Sequence, residues 1–333
     1  MTTRPTPAAP LPSPAPASRA LGPRLRVRLW PRVRASRAWA VLALAALLAG
    51  CGLGPEARLH ADGRYDGPVV AADGAPIQVH ARTGPLPTLV FVHGWMCRAD
   101  YWDAQVAELG ADHATVTLDL AGHGASGGQE REDFSLDALA DDVAVVLETL
   151  DLEQVVLVGH SMGGPVSLKV AAKEPRRVVG IVVVDSLHDA EFTWDPAEMA
   201  GFLSMLRTDW AGTMEGFLEQ MFVDRSSAAY ERVHGDMAGT DARVGLAIME
   251  AYEHVDLAAD FEACGVPVRC INARVSGETF VERNRGHHAD YDAVQLDGVG
   301  HFVQMEDPAR VNALIRRALV SLRTGEPFTE EGA

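Results

Sequence analysis

The sequence predicts an α/β protein built on a mostly parallel sheet with helices on both faces and a helical segment inserted late in the pattern. Three observations predict it. Short apolar, β-branched runs recur at 88–92, 115–120, 155–158, 179–184, 266–271 and 293–296, without the polar alternation of a half-exposed sheet, as strands buried on both faces require. Stretches with helical spacing lie between them. The interval 187–262 breaks the alternation and is helical in character.

Taken in order, 65–81 is interrupted by Asp73-Gly74 and reads as an antiparallel hairpin ahead of the parallel strands, which makes eight strands in all. Leu136, Leu139, Val143, Val146, Leu147 and Leu150 follow helical spacing, with Ser135 placed to cap them. The insertion carries Met199, Phe202, Leu203, Met205 and Leu206, then Met214, Phe217, Leu218, Met221 and Phe222, together with Trp194 and Trp210. Such Met and aromatic stripes are first of all helix packing. Their place between two strands predicts a cap over the strand C-termini, the edge where α/β sheets bind ligands. The last helix opens with Asp307 and Pro308 and continues through Val311, Leu314, Ile315, Leu319 and Leu322. No internal repeat or low-complexity tract follows residue 54.

The chain has 333 residues, 29 Lys plus Arg against 46 Asp plus Glu, a net charge of −17 and 47% hydrophobic residues. These are the proportions of a soluble globular protein. The charge is uneven, because eight arginines and no acid occupy the first 37 positions; without those eight positive charges the balance is −25. So acidic a body disfavours nucleic acid, whose phosphates call for clustered Lys and Arg. Lys169 and Lys173 are the only lysines.

Residues 39–49 form an eleven-residue apolar run behind Arg- and Pro-rich sequence, short of the ~20 residues a spanning helix needs. It ends in Leu48-Ala49-Gly50-Cys51. The tetrapeptide resembles the lipobox of bacterial lipoproteins, which implies a signal peptide with an Arg/Pro-rich extension over 1–50 and a lipidated Cys51 opening a linker over 51–64. The implied location is the cell envelope, exported and anchored to a membrane by that lipid. The plainer reading is a buried cysteine after an uncleaved anchor helix. Cys97, Cys264 and Cys270 remain, an odd number without metal-ligand spacing, so a metal site is not expected.

The most specific signal is Val155-Val156-Leu157-Val158-Gly159-His160-Ser161-Met162-Gly163-Gly164. It is a buried strand, then G-x-S-x-G, then a helix through Val166, Leu168, Val170 and Ala171. A sharp strand-to-helix turn of this kind strains the serine backbone and presents its Oγ, and glycine at 159 and 163 lets neighbouring backbone approach. Three further landmarks accompany it: His93-Gly94-Trp95, the loop from Asp119 through Gly122-His123-Gly124 to Ser126, and Gly300-His301-Phe302. Together they resemble the α/β-hydrolase superfamily, in particular its small capped serine hydrolases, over about residues 65–323.

The resemblance implies an eight-stranded, mostly parallel sheet flanked by helices, with a core over 65–186 and 263–325 and a helical cap over 187–262 after the sixth strand. It implies no cofactor. Ser161 is the expected nucleophile and His301 its base, in the chain order Ser, acid, His. Backbone N–H groups of Trp95 and Met162 are the expected oxyanion hole. For the acid, the pattern I-x-G-x-x-D of many relatives becomes Ile271-Asn272-Ala273-Arg274-Val275-Ser276, with Ser276 where Asp is usual. Asp185, closing the sixth strand, and Glu278 both remain; a carboxylate at a buried strand end is held rigidly and would be costly there unpaired, which favours Asp185. The expected chemistry is hydrolysis of a small ester or related acyl compound with an apolar portion. C–C bond hydrolase, lactonase and perhydrolase use the same triad, and a lipid-anchored binding protein without catalysis is the reading from another class. Metal-dependent hydrolysis through His188, Asp189 and Glu191 has poor ligand spacing. Oligomeric state is not legible.

Overall fold

The computed structural model describes residues 58–60 and 63–330. Cys51, the apolar run before it and most of the linker lie outside them.

Nine strands form one sheet in the order β1-β2-β3-β5-β4-β6-β7-β8-β9. They are β1 Arg58–Leu59, β2 Arg64–Val70, β3 Pro76–Arg82, β4 Thr88–Val92, β5 Thr115–Leu118, β6 Val155–His160, β7 Val178–Val184, β8 Val268–Ala273 and β9 Tyr291–Leu296. The eight expected strands are therefore present, with the two-residue β1 added at one edge. The hairpin β2–β3 is antiparallel and β3 joins β5 antiparallel. From β5 through β4, β6, β7 and β8 to β9 every pairing is parallel. Every residue of β4, β5, β6 and β8 is buried, which is why these segments read as unbroken apolar runs. β8 starts two residues later than the sequence suggests, because Pro267 has no N–H to give to the ladder.

Helices α1 Asp103–Leu109, α2 Leu136–Thr149, α3 Gly163–Lys173, α9 Val281–His287, the short α10 Val303–Glu306 and α11 Pro308–Thr324 are the core helices between and after the strands. Their caps are those the sequence offers: Ser135 Oγ accepts from Ala138 N at 3.2 Å, and Asp307 accepts from Arg310 N at 3.2 Å. Two apolar clusters fill the sheet's faces. One holds Val90, Leu139 and Phe261, the other Leu89, Val182 and Leu314.

Between β7 and β8 come α4 Pro196–Thr208, α5 Trp210–Met221, α6 Ala228–Gly239, α7 Ala242–Tyr252 and α8 Leu257–Cys264. The first four make the cap. The last lies on the core side, where its Asp260 meets Lys169 of α3 at 2.8 Å. Met199, Leu203, Leu206, Met214, Leu218 and Phe222 of the stripes are buried, as helix packing implies, whereas Met205 is exposed and Met221 lines the cavity under the cap.

Candidate active site

The loops that leave the C-terminal ends of β4, β6, β7, β8 and β9 converge on one edge of the sheet. Ser161 follows β6 with φ 52°, a left-handed conformation that few non-glycine residues adopt. Two close approaches force this turn: a Cβ at 159 would run into Gly163 O, and one at 163 into Val92 O. The helix α3 starts directly behind the serine, so its positive end faces the hydroxyl. Asp185, the residue after β7, is also left-handed at φ 50°, as are Leu187 at 56° and Met96 at 57°.

Asp185 is buried, and its carboxylate is surrounded by donors. Oδ2 accepts from His301 Nδ1 at 2.6 Å and from Ser276 Oγ at 2.5 Å, while Oδ1 accepts from Ala273 N at 2.6 Å. His188 Nε2 stands 3.4 Å from Oδ1, close enough for electrostatic attraction but too poorly aligned for a hydrogen bond. Burial alone would raise this carboxyl's pKa; the His188 and His301 imidazoles outweigh it and hold the group well below the usual carboxylate range. Ser276, at the position where an acid was expected, thus donates to the acid at the end of the neighbouring strand. Glu278 is exposed on the same loop, and His301 is bonded to Asp185 and not to it.

His301 is supported from behind as well. His160 Nε2–H donates to His301 O at 3.0 Å, and the two rings lie 4.7 Å apart. Burial, with His301 next, pushes the His160 pKa down to about 3, so it stays neutral and serves as a fixed donor. The His301 N–H donates to Met221 O of the cap at 2.6 Å. Ser161 and His301 line the same cavity, and no hydrogen bond joins them in this conformation. Such bonds often tighten only when substrate is present.

Among the described residues, no acceptor meets the N–H of Trp95 or of Met162. The Trp95 loop is held by two neutral histidines. His93 Nδ1–H donates to Gly94 O at 2.8 Å and its Nε2 accepts from Leu120 N at 2.9 Å. His123 Nδ1–H donates to Ala121 O at 2.9 Å and its Nε2 accepts from Met96 N at 3.2 Å. Burial lowers their pKa values to about 4 and about 3. The cap takes hold of this loop too, through Trp95 Nε1–H donating to Gly245 O at 3.0 Å.

The family model for the alpha/beta hydrolase fold matches residues 87–238. An esterase from Exiguobacterium antarcticum superposes with a TM-score of 0.69 at 19% identity, over 77% of this chain and 100% of that one. This is an α/β-hydrolase fold. The enol-lactonase from Burkholderia xenovorans LB400 shares it, with a TM-score of 0.66 at 18% identity over 76% of this chain and 99% of its own. In sequence, a pimeloyl-[acyl-carrier protein] methyl ester esterase from Aeromonas salmonicida is 34% identical over 142 residues, 41% of this chain and 54% of that protein. The chain spans about half the length of the curated relatives it matches.

On this fold, the cap and the strand C-termini line two adjacent chambers of about 560 and about 220 Å³. Ser161, Trp194, Phe217, Met221, Tyr252 and His301 line both. Trp194 and Phe217 come from the insertion, as does Phe202 of the smaller chamber, which accords with the apolar wall expected of it. Trp210 instead packs edge-on against Trp95 with ring centroids 6.0 Å apart. His188, Asp189 and Glu191 do not converge on one point: His188 faces Asp185, Asp189 pairs with Arg283 at 2.6 Å, and Glu191 meets His287 at 3.3 Å. Sequence reasoning missed the second imidazole beside Asp185 and the two cap carbonyls holding the Trp95 and His301 loops. Carbonyl groups carry no sequence signature. His188 had one, three residues beyond Asp185, but only the bend at Leu187 turns it back.

Proposed function

We propose that this protein is a serine hydrolase that cleaves a carboxylic ester or related acyl compound through an acyl-enzyme. The observation that carries the reading is the 2.6 Å contact between buried Asp185 and His301, opening on the cavity that the strained Ser161 also lines. His301 Nε2 takes the Ser161 proton as Oγ bonds to the carbonyl carbon, and Asp185 stabilises the imidazolium that forms. The carbonyl electron pair moves onto oxygen, where the N–H groups of Trp95 and Met162 meet the negative charge. As the tetrahedral intermediate collapses, the bond to the leaving oxygen breaks and His301 gives it the proton. Water then attacks the acyl-Ser161 ester by the same route, releasing the acid. The reading is tested with a fluorophosphonate probe and short p-nitrophenyl esters. Labelling at Ser161, and loss of turnover by about 10⁴-fold or more in Ser161→Ala, are expected. Absence of labelling in the wild-type protein would leave a binding protein with a hydrolase fold.

Export and anchoring rest on residues 39–51, whose apolar run ends in Leu-Ala-Gly-Cys. In this reading Cys51 carries a lipid on the mature chain and holds an acidic enzyme at a membrane of the cell envelope. Labelled palmitate fed to the producing bacterium should enter the protein and be lost in Cys51→Ser; equal labelling of both would rule out Cys51 as the site.

A further inference from the structure

We infer that the substrate, within the ester-hydrolase reading above on which this rests, joins a short or aromatic uncharged acid to a leaving group that is uncharged or cationic. The acyl part sits in the smaller chamber and the leaving group in the larger. The direction follows from the walls: Ser161 and His301 line both chambers, whereas Trp95 and Met162, whose N–H groups would hold the carbonyl oxygen of the acyl part, line only the smaller one. The acyl part therefore faces the smaller chamber, and the leaving group, within reach of His301 Nε2–H, faces the larger. The acyl carbon chain then extends past Met162 and Trp95 into the smaller one.

The smaller chamber sets the length. Its walls include Phe202, Met237, Met249 and Phe302, with Cys97 as a thiol whose burial pushes its pKa up and keeps it neutral. An apolar cavity of about 150 Å³ accepts benzene, so about 220 Å³ holds an aryl ring or a short chain and excludes a long fatty acyl group. Methionine walls adapt to either shape. The larger chamber sets the charge. Asp189 and Glu278 line it and no lysine or arginine does. Arg283 neutralises Asp189 at 2.6 Å, whereas Glu278 has no ion-pair partner among the described residues. An anionic leaving group, such as a phosphate-bearing thiol carrier, meets like charge there, and a cationic one meets attraction.

The test uses a p-nitrophenyl ester series from acetate to palmitate, then butyrylthiocholine against butyryl-coenzyme A. kcat/KM should rise by about fourfold per added CH₂ to a maximum at butyrate or hexanoate and fall by about tenfold or more at laurate. Met237→Trp, which fills the smaller chamber, should move the maximum to shorter esters; Met249→Ala, which enlarges it, should move the maximum to longer ones. Butyrylthiocholine should be preferred over butyryl-coenzyme A, and Glu278→Gln should shrink that preference by about threefold. A maximum at laurate or beyond, a maximum that stays put in both chamber variants, or a Glu278→Gln variant with an unchanged ratio would overturn the assignment. If no ester is turned over and the fluorophosphonate probe does not react, it is the hydrolase reading itself that fails.

Discussion

At the residue scale the acid is the point on which sequence and structure differ in what they can say. A sequence read in one dimension leaves Asp185 and Glu278 as alternatives, because both lie near strand ends. In three dimensions Asp185 has three hydrogen-bond donors and a second imidazole around it, and Glu278 lines the cavity without touching His301. A buried carboxylate stripped of its negative charge loses more than a surface one does, since it no longer fixes the imidazole's orientation and tautomer. Asp185→Asn should therefore lower kcat by about 10⁴-fold, at least about a hundred times more than Glu278→Gln does. Steady-state rates on a short p-nitrophenyl ester measure the comparison, and similar losses in the two variants would dismiss Asp185 as the acid. Ser161 and His301 were legible because their signals are local: a glycine-flanked serine between strand and helix, and a histidine in a Gly-rich loop after the last strand. Ser276 was legible only as a missing acid. Its hydroxyl bond to Asp185 spans 91 residues, and no local pattern encodes it.

At the scale of elements, the strands were legible because burial on both faces writes itself as unbroken Val, Ile and Leu. Their ends were not, since termination depends on single groups such as the missing N–H of Pro267. The hairpin at Asp73-Gly74 and the caps Ser135 and Asp307 were readable for a similar reason, each being short-range chemistry. The cap's helices announce themselves by spacing, but where the cap grips does not. It holds the α/β core by two polar contacts among others, Trp95 Nε1 to Gly245 O on α7 and His301 N to Met221 O at the end of α5. Gly245 is small by necessity, as a Cβ there would strike Trp210 and the Met96 sulfur. The loop expected to hold the oxyanion and the loop bearing the expected base are therefore both hydrogen-bonded to the element that walls the two chambers. In the proposed hydrolase, those two carbonyls would tie the choice of substrate to the placement of the reactive groups.

For the molecule as a whole, three buried histidines tie stability to pH. His93, His123 and His160 have pKa values lowered from 6.5 to about 4, about 3 and about 3, burial being the main cause in each. Between 6.5 and those values the unfolded chain binds protons that the folded one refuses, so stability is full above pH 6.5 and falls as the pH drops through this window. Each histidine steepens the loss by up to roughly 1.4 kcal/mol per pH unit. Asp185, whose pKa is also lowered, adds to the loss only below the ordinary range of a free aspartate. Thermal unfolding followed from pH 7.5 to pH 4.5 should show Tm declining from about pH 6.5 downward, and His123→Gln should flatten the decline. A Tm flat to pH 5 would contradict the assignment of neutral, loop-bracing roles to these rings.

Among the described residues six that are not glycine are left-handed, and four of them, Met96, Ser161, Asp185 and Leu187, gather at a single sheet edge. At roughly 1–3 kcal/mol apiece, their combined distortion is comparable with the about 5–15 kcal/mol by which a typical domain stays folded. Any lineage of this protein moving to hotter surroundings meets a conflict at that edge. Replacements that relax those turns would make a sturdier chain with its reactive groups out of line, so endurance has to come from the far half of the sheet and from the outer helices, where geometry is free to change.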